Sequence, residues 1–228
     1  MKRTAMFIAA LTLCSGLAIG QTEKPKPTAP TPATKPAEAP KGQPNEAEMM
    51  EAFMKAAQPG KHHEHLMKSA GTWDGVVKHW HSPNMPPAES KCVTTMSSIM
   101  GGRYIKAETE GDMPGVGPFS GFGLYGYDNV SEKFVSVWID NMGTGIMNGT
   151  GVQSADGKTV TWTMSMNDPI TKQPMMMREV DKQIDDDHSV LEMFGPGPDG
   201  KETKMMEITY TRRAGTAKPV AKPAPATK

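Results

Sequence analysis

Five of the six histidines fall into two groups, and metal binding is the first chemistry they suggest. His62, His63 and His65 stand around Glu64, while His79 and His81 follow at i, i+2, the spacing that puts two strand side chains on one face. If the first group lies over the second, five imidazoles become available to zinc, copper or nickel. No His-Glu-x-x-His pair accompanies them, and Cys92 has no second cysteine beside it. The competing reading is polar residues at a helix start and on an exposed strand face, with His65 packed for structural reasons.

Methionine is the other unusual donor, with 20 residues in the chain. Met49-Met50, Met164-x-Met166, Met175-Met176-Met177 and Met205-Met206 stand out, and thioethers can hold Cu(I). In a strand, however, Met176 points away from Met175 and Met177, so the triplet cannot give one ion three sulfurs. Core filling, or the lining of an adaptable apolar pocket, is the preferred reading.

Nucleophilic and phosphate chemistry find little support. The chain has no Gly-x-Ser-x-Gly elbow, no Gly-Lys-Ser/Thr phosphate loop and no Rossmann glycine fingerprint. Gly121-Phe122-Gly123 sits in a strand-like run with no helix after it. Asp185-Asp186-Asp187 reads as a solvated hairpin turn rather than a calcium loop. Asp140, two residues after Trp138 on the same strand face, is the acid placed best to see an interior or a barrel mouth. Orienting a polar ligand group is its functional reading, and a structural hydrogen bond its plainer one. The sequence names no cofactor and no catalytic residue.

These side chains need strands to position them. Residues 119–140 read as a hairpin, Phe119 to Tyr127 and Phe134 to Asp140, around the turn at residues 128–133. Phe122 and Leu124 share one face, Tyr125 and Tyr127 the other. Gly121, Gly123 and Gly126 weaken a strand unless the sheet bends or something approaches its backbone closely. In the second arm Phe134, Ser136, Trp138 and Asp140 oppose Val135, Val137 and Ile139, which predicts a strand covered on both sides. Further strands are expected at residues 71–82, 88–100, 103–111, 144–154, 158–167, 173–184, 188–194 and 203–212. Turns at residues 83–87, Gly101-Gly102, Asp156-Gly157 and Asp199-Gly200 separate several of them. Helices are expected at residues 45–59, with Asn45 and Glu48 as a capping box and Met49, Met50, Phe53, Met54 and Ala57 as an apolar face, and at residues 61–70.

About ten short strands in succession predict an all-β, antiparallel up-and-down β-barrel, since a sheet this long closes to remove its edges. One or two short N-terminal helices would plug one end. A barrel of eight or more strands can retain room for a small ligand. Within residues 158–167, Val160, Trp162, Met164 and Met166 face one way and threonines and Ser165 the other. This is the expected interior.

The ends are different in kind. Residues 1–20 carry Lys2 and Arg3, an apolar middle and Ala18-Ile19-Gly20, which is the pattern of a secretory signal cleaved before Gln21. The apolar run is too short to cross a bilayer, and Leu13 before Cys14 argues against lipoprotein processing there. Residues 21–44 and 214–228 are rich in Pro, Lys, Ala and Thr and are expected to be disordered. Of 25 basic and 25 acidic residues, the ends hold nine and two, leaving residues 45–213 with 16 basic and 23 acidic. An acidic domain argues against nucleic acid. The basic tails offer weak contact to anionic envelope polymers, though a solubilising role is preferred. With Cys14 removed in the signal, Cys92 is alone, so no intrachain disulfide forms and the core must hold the domain.

Gly71-Thr72-Trp73 opening the first strand, with Arg212 closing the last, resembles the calycin pattern of lipocalins, in which a tryptophan packs beneath a final-strand arginine. A longer series is His65, Gly71-Thr72-Trp73, Gly101-Gly102-Arg103-Tyr104, residues 119–128, Trp138-Ile139-Asp140 and Asp168-Pro169-Ile170-Thr171. It resembles the bacterial domain of unknown function 1579 family over roughly residues 58–213. The resemblance implies a barrel and export and brings no catalytic residues. The leading expectation is an exported, non-enzymatic module binding a small apolar or amphipathic molecule. Trp138, Trp162, Met164, Met166 and Tyr125 are expected to line its pocket, with Arg103 or Asp140 as polar anchor. The alternatives are a metal handler using His62, His63, His65, His79 and His81, a packed structural or interaction barrel, and an enzyme with a strongly shifted titratable group inside the cavity.

Overall fold

The computed structural model describes residues 44–82, 84–197 and 199–215. The signal, most of the Pro-rich leader, Cys14 and most of the C-terminal tail lie outside the described residues. Ten strands follow two helices: α1 Glu46–Ala56, α2 Lys61–Met67, β1 Gly71–His79, β2 Ala88–Ile99, β3 Tyr104–Met113, β4 Gly117–Asp128, β5 Lys133–Asp140, β6 Met147–Gln153, β7 Thr159–Asn167, β8 Pro174–Gln183, β9 His188–Pro196 and β10 Glu202–Arg212. Each strand pairs antiparallel with its sequence neighbours, and β1 pairs with β10, so the sheet is a closed up-and-down barrel. Among the described residues no helix is long and apolar enough to cross a membrane.

The period-two pattern fixes which side chains go inside. On β7, Val160, Trp162 and Met164 are buried while Thr161 and Thr163 are exposed. Phe134 of β5, Ile105 of β3 and Met177 of β8 meet them in the main core. Trp73, Cys92, Ile208 and Tyr210 form a second cluster across the β1–β10 seam. On the turn between β2 and β3, Gly101 and Gly102 take φ of 65° and 83°, the left-handed region that glycine enters without a Cβ clash.

The strand ends alternate between two rims. One rim holds α2, whose Leu66 and Met67, with Ala70 just beyond it, are buried against the main core. α2 is therefore the plug. Its buried His63 accepts a hydrogen bond from the Gly60 N–H at Nδ1, 3.0 Å, and burial lowers its pKa.

Two expectations need correction. The capping box of α1 is present, with Glu48 N–H donating to Asn45 Oδ1 at 3.0 Å and Asn45 N–H to Glu48 at 2.9 Å. Yet no residue of α1 is buried, and Phe53 is 73% exposed. α2 already fills that end of the barrel, so α1 does not plug it. Likewise the outer face of the β4–β5 hairpin is not covered. Phe122, Leu124, Val135 and Val137 are half-buried by one another, and Ile139 is 45% exposed.

Arg212 ties the seam and the plug together. Its guanidinium lies 4.0 Å from the Trp73 ring centroid, its cross-strand partner on β1. It donates to the carbonyls of Ala70 at 2.6 Å, Lys68 at 2.8 Å and Asp186 at 2.9 Å. Two of those carbonyls lie just past α2, where a helix leaves acceptors unpaired and favours a cation. Trp73 Nε1 donates to Ser69 O at 2.8 Å in the same connection. Arg212→Ala should therefore lower the unfolding free energy by about 3 kcal/mol in urea denaturation. Arg212→Lys should recover little, because an ammonium cannot reach three carbonyls and stack at once. A loss below about 1 kcal/mol for the alanine variant would mean that the plug is held by its apolar contacts alone.

Candidate functional site

Ten strands enclose more space than their side chains fill. A cavity of about 440 Å³ runs through the barrel, lined by residues from both rims. Trp73, Met96, Ile105, Val160, Trp162, Met164, Leu191 and Ile208 give it a mostly apolar wall. His79, Ala88, Met113, Trp138 and Asp140 border it at the rim opposite α2.

Glycines set the position of its two large indoles. Trp162 lies against Gly151, its β6 register partner, where an added Cβ would stand 2.8 Å from the ring. Trp138 lies against Gly123 in the same way, with 3.0 Å to the ring. Gly121 and Gly126 of β4 likewise admit close approach by Trp138 and Tyr104 of the neighbouring strands.

Two acids of β8 line the cavity side by side. Beyond Met175 and Met177, the same inward face carries Glu179 and Asp181. Trp162 Nε1 donates to Asp181 Oδ2 at 2.9 Å. Glu179 is 4% exposed and has no hydrogen-bond partner among the described residues. No fully buried polar side-chain atom there lacks a partner, so the free Glu179 oxygens keep contact with the cavity space. Burial pushes the Glu179 carboxyl well above the ordinary range, and the nearby Asp181 adds to the shift. Burial also pushes Asp181 up to about 6, against the Trp162 hydrogen bond that lowers it. Asp181 keeps some accessible surface because it faces a cavity, although protein encloses it.

Two phenols complete the group. Burial, then the charges of Glu179 and Asp181, raises Tyr125 well above the usual phenol value. Tyr210 is raised by burial first and by Cys92 next, with a Thr94 hydrogen bond opposing. The Cys92 thiol is itself raised by burial, which makes it a structural group rather than a nucleophile. Thr94 and Thr109 share a hydroxyl hydrogen bond of 2.8 Å beside it.

Of the residues singled out by sequence, Trp138, Trp162, Met164, Tyr125 and Asp140 line the cavity. Asp140 is already engaged, accepting from Trp138 Nε1 and from the Met142 N–H, each at 2.9 Å. Met166 does not line the cavity; it is part-buried against the main core. Arg103 is not an anchor inside the barrel either. It sits at the α2 rim, where Nε and Nη2 donate to Ala57 O at 3.1 and 2.8 Å and Nη1 donates to Met100 O at 3.2 Å. It caps α1.

The five histidines are not brought together. His62 and His63 ride on the α2 rim, with His62 stacked 4.2 Å from Tyr127, and His65 meets the Phe134 edge. His79 and His81 pair at 4.7 Å beside the opposite rim. The eight residues of β1 between the two groups span roughly 26 Å. Among the described residues no cluster of three or more His, Cys, Asp or Glu is arranged to hold a metal ion. Glu179 and Asp181 were missed by sequence reading, though the signal existed. Continuing the Met175/Met177 face by twos reaches both.

Residues 58–212 match the family described as "Protein of unknown function (DUF1579)". The chain belongs to this family. No curated protein matches the chain. Among solved structures, the crystal structure of Rv2717c from M. tuberculosis is similar, with a TM-score of 0.50 and 14% identity. The similarity covers 68% of this chain and 98% of that one. At that identity the likeness speaks to the fold, and the site must be argued from this chain's own residues.

The acid pair has a consequence for stability. A carboxyl whose folded pKa is raised contributes stability that is fully present below its unfolded value and lost as pH rises through its folded value. For Asp181 that window runs from 3.8 to about 6, and for Glu179 it extends higher. Surface acids such as Asp74, Asp128 and Glu202 are held low and act in the opposite sense, so the readout is a difference. The stability of Glu179→Gln/Asp181→Asn relative to wild type should increase between pH 4 and pH 8. Each pH unit over which one group is held protonated contributes about 1.4 kcal/mol. A difference independent of pH would show that neither carboxyl is desolvated in the native state.

Proposed function

We propose that this protein is an exported, non-enzymatic module that binds a small apolar or amphipathic molecule inside its barrel. The observation that carries the reading is the cavity of about 440 Å³ with a mostly apolar wall. Ligand sites fall in the range of about 300–1,000 Å³ and combine apolar walls with a few placed polar groups. Trp138, Trp162, Met164 and Tyr125 supply wall, and methionine lets a wall adapt to its occupant. The signal-like start at residues 1–20 supports export.

The acid pair favours one second reading, an acid–base enzyme that uses Asp181 near its midpoint at neutral pH. Binding ranks first because the buried Cys92 is no nucleophile and Asp140 is already bonded within its own hairpin. An enzyme would release its ligand chemically altered. A carrier returns it unchanged.

Native mass spectrometry of the protein purified from its own export compartment should show an adduct of small-molecule mass that denaturation releases intact. Ala107, small and inward-facing on β3, lines the same space. Ala107→Phe should abolish that adduct and the uptake of the neutral dye Nile red while leaving the barrel folded. Should that variant fold poorly, Ser90→Phe tests the same space nearer the far rim. A bare mass together with no dye uptake by wild type would defeat the reading.

A further inference from the structure

Among the described residues, neither Glu179 nor Asp181 is paired with a basic side chain. Asp181 accepts from the Trp162 indole, and Glu179 has no hydrogen bond or ion pair among them. The cations nearest the cavity are used elsewhere or stand at its edge. Arg212 is spent on Trp73, three carbonyls and Asp187. Lys68, Lys91, Lys158 and Lys182 border the cavity too, and all four are exposed. Two carboxyls at i, i+2 therefore face a largely apolar space, and the more deeply buried of them has free oxygens in contact with it.

Burying a charge without a partner is costly, and a buried carboxylate is normally paired or bound to a cation. The surrounding wall suits a cation. Tyr125 and Trp162 meet edge to face at 5.8 Å beside the acids, and aromatic faces attract ammonium groups. Trp162 in turn orients Asp181 through its indole N–H. The same acids would repel an anionic headgroup, which separates this cavity from one built for a fatty-acid carboxylate.

We propose that the occupant is an amphipathic amine whose protonated nitrogen is received by Glu179 and Asp181 while its apolar body fills the barrel toward Met164 and Trp138. This rests on the cavity-binding reading above and adds the chemical class of the ligand. Glu179 supplies open acceptor oxygens, Asp181 a carboxylate fixed in orientation, and Tyr125 with Trp162 an aromatic side wall.

The test uses three probes of matched chain, decylamine, decanol and decanoate, titrated calorimetrically into the full chain at neutral pH. Decylamine should bind roughly tenfold to a hundredfold tighter than decanol, with decanoate weakest. In Glu179→Gln/Asp181→Asn the preference for the amine should vanish while decanol binds at least as well as before. Glu179→Gln alone, with a near-isosteric amide, serves if the double variant fails to fold, and should lose most of the preference. Wild type binding decanol or decanoate as tightly as decylamine would overturn the amine assignment and leave the cavity reading standing. An amine preference that survives both variants would overturn it too. Silence with all three probes would remove the cavity reading itself.

Discussion

The structure depends on the contact between Arg212 and Trp73. An up-and-down sheet closes where its last strand meets its first, and in this chain those partners are an arginine and a tryptophan opposite one another in register. Stacking on the indole neutralises none of the guanidinium's hydrogen-bonding capacity, so the same group remains free to collect carbonyls. It takes them from the segment that follows α2 and from the turn before β9. One side chain thus joins the seam, the plug and a neighbouring hairpin. With no disulfide among the described residues, this polar fastening and the two apolar clusters hold the barrel closed.

Closure then creates the cavity. A closed sheet of ten strands has a perimeter set by strand number, and side chains projecting inward cannot all reach the axis. The chain responds unevenly. Near α2 the interior is filled by Phe134, Ile105, Leu66, Met67 and Trp162, while toward the other rim the cavity is bordered by Met113, Met147 and Trp138. Glycines let Trp138 and Trp162 lie flat on the neighbouring strand, which keeps bulky rings at the wall and the axis open. Packing against glycine is therefore what preserves the space.

Much of this was legible in the sequence because period two is clear in strands such as β3, β4 and β7. Ten strands, their order, the Asn45/Glu48 capping box and the Trp73–Arg212 pair follow from local pattern. The alternation also placed Val160, Trp162 and Met164 inside. What pattern could not show is which rim a residue reaches. Arg103 sits in a turn, where no alternation applies, and its role is decided by the Ala57 carbonyl at the end of α1, forty-six residues earlier. The histidines were close in sequence, but β1 runs between the two groups and sends them to opposite ends. The apolar face of α1 was legible, but amphipathicity says nothing about whether a partner surface remains, and of the two helices only α2 fills the barrel end. Glu179 and Asp181 escaped notice because charge suggests an outward face, although the period of their own strand places them inward.

Those two acids are difficult to explain by folding alone. Replacing a buried polar or ionic group with an apolar one of similar volume is often neutral or stabilising, and β8 already supplies Met175 and Met177 on the same face. Another methionine at position 179 would continue that wall without desolvating a carboxyl. Asp181 has at least the Trp162 N–H to satisfy, and so some structural return. Glu179 has no such partner among the described residues, and its neighbour's charge makes its ionisation harder still. Under the binding reading proposed above, a group that weakens the native state at neutral pH and has no partner among the described residues would find its counterpart in the occupant of the cavity. On that reading the apolar wall selects the body of the occupant and Glu179 its charge.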